Sequence, residues 1–143
     1  MKKSKDDISL SDYRALAEFR YQIRCFLHFS EQVARKAGLE SQQHQVLLAL
    51  KGISQEKQAS ISYLAERLQL QHHSTVELVD RLAERGLVQR RRDETDQRRV
   101  LVDLTLRGEE ILRELSVHHR TELQSAGPAL VKALEALIAH NEE

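Results

Sequence analysis

One stretch constrains this chain more than any other: residues 60–108, SISYLAERLQLQHHSTVELVDRLAERGLVQRRRDETDQRRVLVDLTLRG. Its hydrophobic period changes along its length, from helical to strand-like. Leu64, Ala65 and Leu68 form the apolar stripe of a short helix, and Leu78, Val79 and Leu82 form the stripe of a second, with Thr75 one turn earlier on the same face. Gly86 follows the last apolar contact, where a helix end favours a residue free to become left-handed. Val88 to Arg92 and Arg99 to Leu104 then read as two strands around the polar tip Asp93-Glu94-Thr95-Asp96-Gln97. Val100, Val102 and Leu104 alternate on one face, which is expected to pack on the helices.

Two helices in succession and an arginine-rich hairpin make a helix-turn-helix with a β-wing, and Ile61 fits a short strand pairing with that wing. The run DRLAERGLV at 80–88, D-x-R-R at 96–99 and V-x-L-T-x-x-G at 102–108 resemble the MarR family of transcriptional regulators. The order and spacing of these runs are specific, and the motif that holds them, residues 60–108, covers about a third of the chain. The fold expected is mainly α with a small β-wing: a winged unit at 41–104, flanked by dimerisation helices at 9–37 and 109–140, in a single domain of residues 1–143. The chain departs from the family's usual pattern in three places. Gln69 stands where the turn often has glycine, Gln71 replaces the usual capping serine, and Glu77 replaces a basic or neutral polar residue.

A chain of 143 residues is one domain's worth. It has no apolar run of membrane-spanning length. Lys2, Lys3 and Lys5 are followed by Asp6 and Asp7 rather than an apolar stretch, which is not a signal-peptide pattern. A single cysteine excludes an internal disulfide framework and fits a reducing cytoplasm. Formal net charge is zero, so the distribution carries the information. Residues 81–99 hold seven arginines against four acids, whereas 109–143 hold three basic residues against seven acids. From 58 to 131 every basic residue other than histidine is arginine, whose planar fork suits phosphates and base edges.

Residues 1–8 are polar and read as mobile. Ser9 or Ser11 is expected to cap a first helix running to about Ala37, with Leu16, Phe19, Ile23, Phe26, Val33 and Ala37 at helical steps and Gly38 as its end. Ser41 is expected to cap a second helix carrying Val46, Leu47 and Leu50. Thr105 sits where it can cap the helix after the wing, and Gly108 in its first turn lets the wing base approach closely. Gly127-Pro128 is expected to break the chain and start a last helix bearing Leu130, Val131, Leu134, Leu137 and Ile138. The first and last helices carry more apolar surface than one domain of this size needs to hide. A twofold dimer with interlocked terminal helices is the expected solution, and the family resemblance implies the same.

With Leu78, Val79 and Leu82 inward, the second motif helix presents His73, Val76, Glu77, Asp80 and Arg81 on the opposite ridge. In a major groove these and Ser74 would meet base edges or phosphates: Arg81 a guanine, Val76 a thymine methyl. An acid at 77 repels phosphate unless it accepts from a cytosine amino group. A start near His72 is preferred for this helix; the alternative is a capping box, Ser74-x-x-Glu77, that starts it at Ser74. Resemblance makes Arg98 the wing arginine that enters the minor groove and Asp96 the brace of the tip. Arg90, Arg91, Arg92 and Arg99 then line the approaches as phosphate contacts.

Cys25 is read as lacking a tyrosine partner at helical spacing, with His28, Arg24 or Arg20 as its activators; a buried inert thiol is the commoner case and a redox switch the alternative. A small-molecule pocket is expected beside the first helix at Cys25, His28 and Phe29, facing the second helix, with core packing the alternative. No two of the seven histidines sit four apart, no metal site or cofactor is expected, and no catalytic motif is present. The sequence therefore reads as a cytoplasmic, dimeric regulator, more often a repressor in this family, binding pseudo-palindromic double-stranded DNA. The resemblance implies release by a small-molecule effector. The rival class is a winged helix used for protein contact.

Overall fold

The structure is a computed structural model that describes residues 6–54 and 56–139. Lys2, Lys3, Lys5 and the last position of the 109–140 segment lie outside the described residues. The elements run α1 (Leu10–Lys36), α2 (Ser41–Gly52), α3 (Ile61–Leu68), α4 (His72–Glu84), β1 (Val88–Arg92), β2 (Val100–Leu104) and α5 (Leu106–Ala139). Contacts divide the chain into two compact units: residues 33–117, and the residues up to 32 together with those from 118 onward.

The unit 33–117 holds the apolar core. Val46, Leu47 and Leu50 of α2, Leu64 of α3, Leu78, Val79 and Leu82 of α4, Leu87, Val88 and Val102 of the wing, and Leu112 and Leu115 of α5 are all buried together. Each helix contributes the face its sequence spacing marks, because only that face can be removed from water without burying charge. Thr75, fully buried on the same side of α4, donates its hydroxyl to the Gln71 carbonyl at 2.9 Å and so leaves no unpaired polar atom.

Caps fix the boundaries. Ser9 is the cap of α1: its Oγ accepts from Asp12 N at 3.1 Å, while the Asp12 carboxylate accepts from Ser9 N at 2.9 Å. Gly38 closes that helix with φ +80, and Gly86 follows α4 with φ +73, both in the left-handed region. For α2 the cap is Glu40 rather than the expected Ser41; Glu40 and Gln43 form a reciprocal capping box, so Ser41 is the first helical residue. Ser60 caps α3, its Oγ accepting from Tyr63 N at 3.0 Å. The strand expected at Ile61 is therefore reduced to one bridge, Ser60 with Leu101, and Ile61 already belongs to the helix. A hydroxyl committed to capping turns the chain into α3 as soon as Val102 N has bonded Ala59 O at 2.8 Å.

The wing strands pair antiparallel with Val88 opposite Leu104 and Arg92 opposite Val100. Val102 is buried as its alternation requires; Leu101, on the other face, is buried as well. The break expected at Gly127-Pro128 does not occur: α5 is continuous over 34 residues with Pro128 inside it. A proline costs its helix one hydrogen bond and crowds the Cβ of the residue before it. Gly127 has no Cβ to crowd, which removes part of that penalty and lets the helix continue.

In the other unit, α1 and α5 meet through His119. Its ring lies edge-on to Phe29 at 5.5 Å and Phe26 at 6.0 Å, and its Nε2 shares a 2.7 Å hydrogen bond with buried Ser30. No described helix is long and apolar enough to cross a membrane.

Candidate nucleic-acid interface

The turn between α3 and α4 is built without glycine. Gln69 takes the left-handed conformation itself, φ 54 and ψ 46, and its side-chain amide donates to Glu66 O at 2.8 Å. Helix α4 starts at His72 behind Gln71, whose side chain makes no cap; the alternative start at Ser74 is not adopted. With Thr75, Leu78, Val79 and Leu82 buried, the outward ridge is His73, Glu77 and Arg81, spaced four apart and all exposed. Ser74 and Val76 are half-buried, and Val76 packs against the core instead of standing free.

Every wing arginine has an internal partner. Arg90 bonds Asp80 of α4, tying the wing to that helix. Arg91 Nε donates to Asp103 at 2.6 Å, and this contact raises the guanidinium's already high pKa. Arg92 donates to the Gln97 carbonyl at 2.8 Å, and Arg99 lies 3.4 Å from Asp93. Arg98 pairs with Asp96 at 3.3 Å, yet its side chain is 93% exposed, the brace holding only the near end of the group. The guanidinium is thus presented to solvent from a tip whose backbone is fixed: Arg98 N also donates to Asp96 Oδ1 at 3.1 Å.

Asp93 organises that tip, and sequence reasoning missed it. It is buried, accepts from Thr95 N at 3.0 Å and Thr95 Oγ1 at 2.8 Å, and these bonds hold its carboxyl below its ordinary pKa. The signal was present, since Asp93-x-Thr95 is the spacing of an Asx turn. Asp80 and Asp103 were also missed as partners; the strand register brings Asp103 to Arg91, and the packing of β1 beside α4 brings Asp80 to Arg90. At the wing base Thr105 Oγ1 donates to Gly86 O at 2.7 Å and accepts from Gly108 N at 3.1 Å. A Cβ on Gly108 would stand 2.2 Å from Leu87 O, so the close approach expected there is real. Arg85, just past α4, donates to Gly38 O at 2.7 Å.

The residues expected at an effector pocket lie together on α1. Cys25 and His28 are exposed, and Phe29 is half-buried against His119. The expectation that Cys25 has no tyrosine at helical spacing is wrong: Tyr21 stands one turn earlier on α1, and its interaction with the thiol raises the tyrosine's pKa. Among the described residues no group of three or more His, Cys, Asp or Glu side chains could hold a metal ion. An open groove of about 510 Å³ runs along the α3–α4 turn between Ser62 and His72.

Two helices joined by a tight turn, an exposed ridge on the second, and a braced arginine hairpin define a winged helix-turn-helix protein. The sequence model of the MarR family matches residues 37–99, a stretch from the end of α1 through the wing tip. Solved structures share the fold over most of the chain. AbsC, a MarR family transcriptional regulator from Streptomyces coelicolor, has a TM-score of 0.75 at 21% identity, covering 96% of this chain and 99% of its own. CouR from Rhodococcus jostii RHA1, bound to p-coumaroyl-CoA, has 0.67 at 25% identity, over 82% of this chain and 80% of its own. A MepR mutant from S. aureus, bound to an oligodeoxyribonucleotide, has 0.66 at 19% identity, over 94% of both chains. No curated protein sequence matches the chain. Residues 37–99 of this chain are thus similar in sequence to the winged helix-turn-helix of the MarR family.

Proposed function

We propose that the protein is a sequence-specific DNA-binding transcriptional regulator. One observation carries this reading: α4 presents an exposed His73–Glu77–Arg81 ridge beside a wing whose Arg98 is braced by Asp96 at Nε and stands 93% exposed. A helix ridge fits the major groove, and a projecting arginine fits the adjacent minor groove, where negative potential is concentrated. The MepR mutant, with this fold, is bound to an oligodeoxyribonucleotide, which supports the same use here.

The regulator acts as a homodimer on a pseudo-palindromic site, one half-site per chain, and as a repressor in the cytoplasm. Exposed Leu10, Tyr13, Leu16 and Leu27 on α1, and Val131, Leu134 and Ile138 on α5, support dimerisation, since monomers rarely leave so much apolar surface in water. A small-molecule effector controls release. CouR with p-coumaroyl-CoA and NadR with 4-hydroxyphenylacetate, both of this fold, support that reading. The exposure of the Cys25 thiol, with Tyr21 one turn away, favours a second reading, release by oxidation of that thiol.

Selection of bound DNA from a random pool tests the function. The expected result is an enriched inverted repeat whose half-sites lie about one helical turn apart. Failure to enrich any sequence, with no salt-dependent DNA binding, refutes the reading in favour of a protein-contact module.

A further inference from the structure

We propose that Glu77 is a specificity-determining residue that accepts a hydrogen bond from the amino group of one cytosine in each DNA half-site. The inference rests on the DNA-binding reading above and adds the base.

Helix α4 carries three carboxylates: Glu77, Asp80 and Glu84. Asp80 is satisfied, because Arg90 reaches across from β1 to bond it. Glu84 is the last residue of the helix, far from the N-terminal half that a recognition helix places against bases. Glu77 lies in the first half, exposed, between His73 one turn before and Arg81 one turn after. It makes no ion pair with either among the described residues, although four-residue spacing would allow one. Nor does it form the capping box its spacing from Ser74 suggested, because the helix starts at His72.

An unpaired carboxylate on the face of a DNA-reading helix is repelled by phosphate. It is favourable there only where DNA offers a donor and no negative charge, that is, at a base edge. In the major groove a carboxylate accepting from cytosine N4 meets that requirement; guanine presents acceptors to it, thymine an acceptor and a methyl, and adenine sets its N7 acceptor beside its amino group, where it repels a carboxylate. Arg81, one turn away, suits the guanine of a neighbouring pair. The pair of side chains therefore selects a C·G-rich step read from both sides.

The test is selection from a random pool with the full chain, Glu77→Gln, Glu77→Ala and Asp80→Asn. Glutamate, glutamine and alanine are all good helix formers at an exposed site, so the Glu77 variants fold. The parent should show one C·G position per half-site preferred roughly 10- to 100-fold over other pairs. Glu77→Gln should turn that position to A·T, since glutamine bonds adenine N6 and N7, and Glu77→Ala should leave it without preference. Asp80→Asn should keep the cytosine. If both Glu77 variants keep the parent motif at every position, and only gain affinity uniformly with a steeper salt slope, Glu77 merely repels phosphate and the proposal is overturned. If the parent enriches no sequence, the DNA-binding reading itself has failed.

Discussion

Replacing Gly108 by alanine sets two effects of opposite sign against each other. Helix propensity alone favours alanine in an ordinary helical position by about 0.5–1 kcal/mol. The new Cβ would, however, lie 2.2 Å from Leu87 O and 3.2 Å from Leu104 Cδ2. The first contact is with backbone, and that carbonyl already accepts from Thr105 N at 3.2 Å, so it cannot swing aside like a side chain. Overpacking of this kind costs about 1–3 kcal/mol, and a backbone clash so short belongs at the upper end. The net expectation is a loss of about 1–2 kcal/mol, a fall in Tm of roughly 3–8 °C. Thermal and urea unfolding followed by circular dichroism measure it. Gly52→Ala is the control, because nothing lies within 4 Å of a Cβ there, and it should be neutral or stabilising. The reasoning is refuted if Gly108→Ala is as stable as the parent or more so, since the wing base would then not be pressed against α5.

Arg98→Ala should weaken cognate DNA binding by roughly 5- to 150-fold while barely changing stability, and Arg91→Ala should lose less, because Arg91 is held by Asp103; fluorescence anisotropy on cognate and random DNA at two salt concentrations distinguishes them. Asp93→Asn should slow or loosen the wing tip at neutral pH, lowering DNA affinity with little loss of secondary structure. The carboxyl of Asp93 is held below its ordinary value of 3.8, so its stabilisation is present above that value and lost as pH falls through the lower, folded one. The stability gap between parent and Asp93→Asn should therefore narrow below about pH 4, measured by urea unfolding across pH; a gap constant down to pH 2 would contradict the carboxylate's role. Val131→Glu with Leu134→Glu should yield monomer or unfolded chain in sedimentation velocity, whereas an unchanged dimer would remove these helices from the interface.

What could be read in advance follows from the range of each interaction. The buried face of α4 was legible because Leu78, Val79 and Leu82 repeat at helical spacing, and burial obeys that period. The cap of α2 was misplaced by one residue, because Glu40 and Ser41 are both plausible caps and only the reciprocal contact with Gln43 decides. The strand at Ile61 was over-read: a single bridge at Ser60 has no period to detect. Gly127-Pro128 looked like a stop because proline's local penalty is visible in sequence, yet Gly127, with no Cβ for the ring to crowd, equally allows α5 to continue. Tyr21 was in plain view at a four-residue step from Cys25 and was overlooked rather than hidden. At the interface, the exposed ridge of α4 and the crowd of wing arginines were legible. The partners were not, since Arg91–Asp103 meets only once the hairpin register is set, and Asp80–Arg90 only once β1 packs beside α4.

A wing whose arginines are already engaged meets DNA as a competitor for them, not as their first partner. A phosphate that draws on one of these guanidiniums competes with a carboxylate or carbonyl of the protein for it, so contact is partly an exchange. Long-range attraction is muted, because Asp80, Asp93, Asp96 and Asp103 cancel much of the field that the arginines would cast. Such a surface lingers little on arbitrary sequence. On the proposed DNA-binding reading it would commit only where the groove's shape rewards several exchanges together, with dwell time on the right site mattering more than speed of arrival.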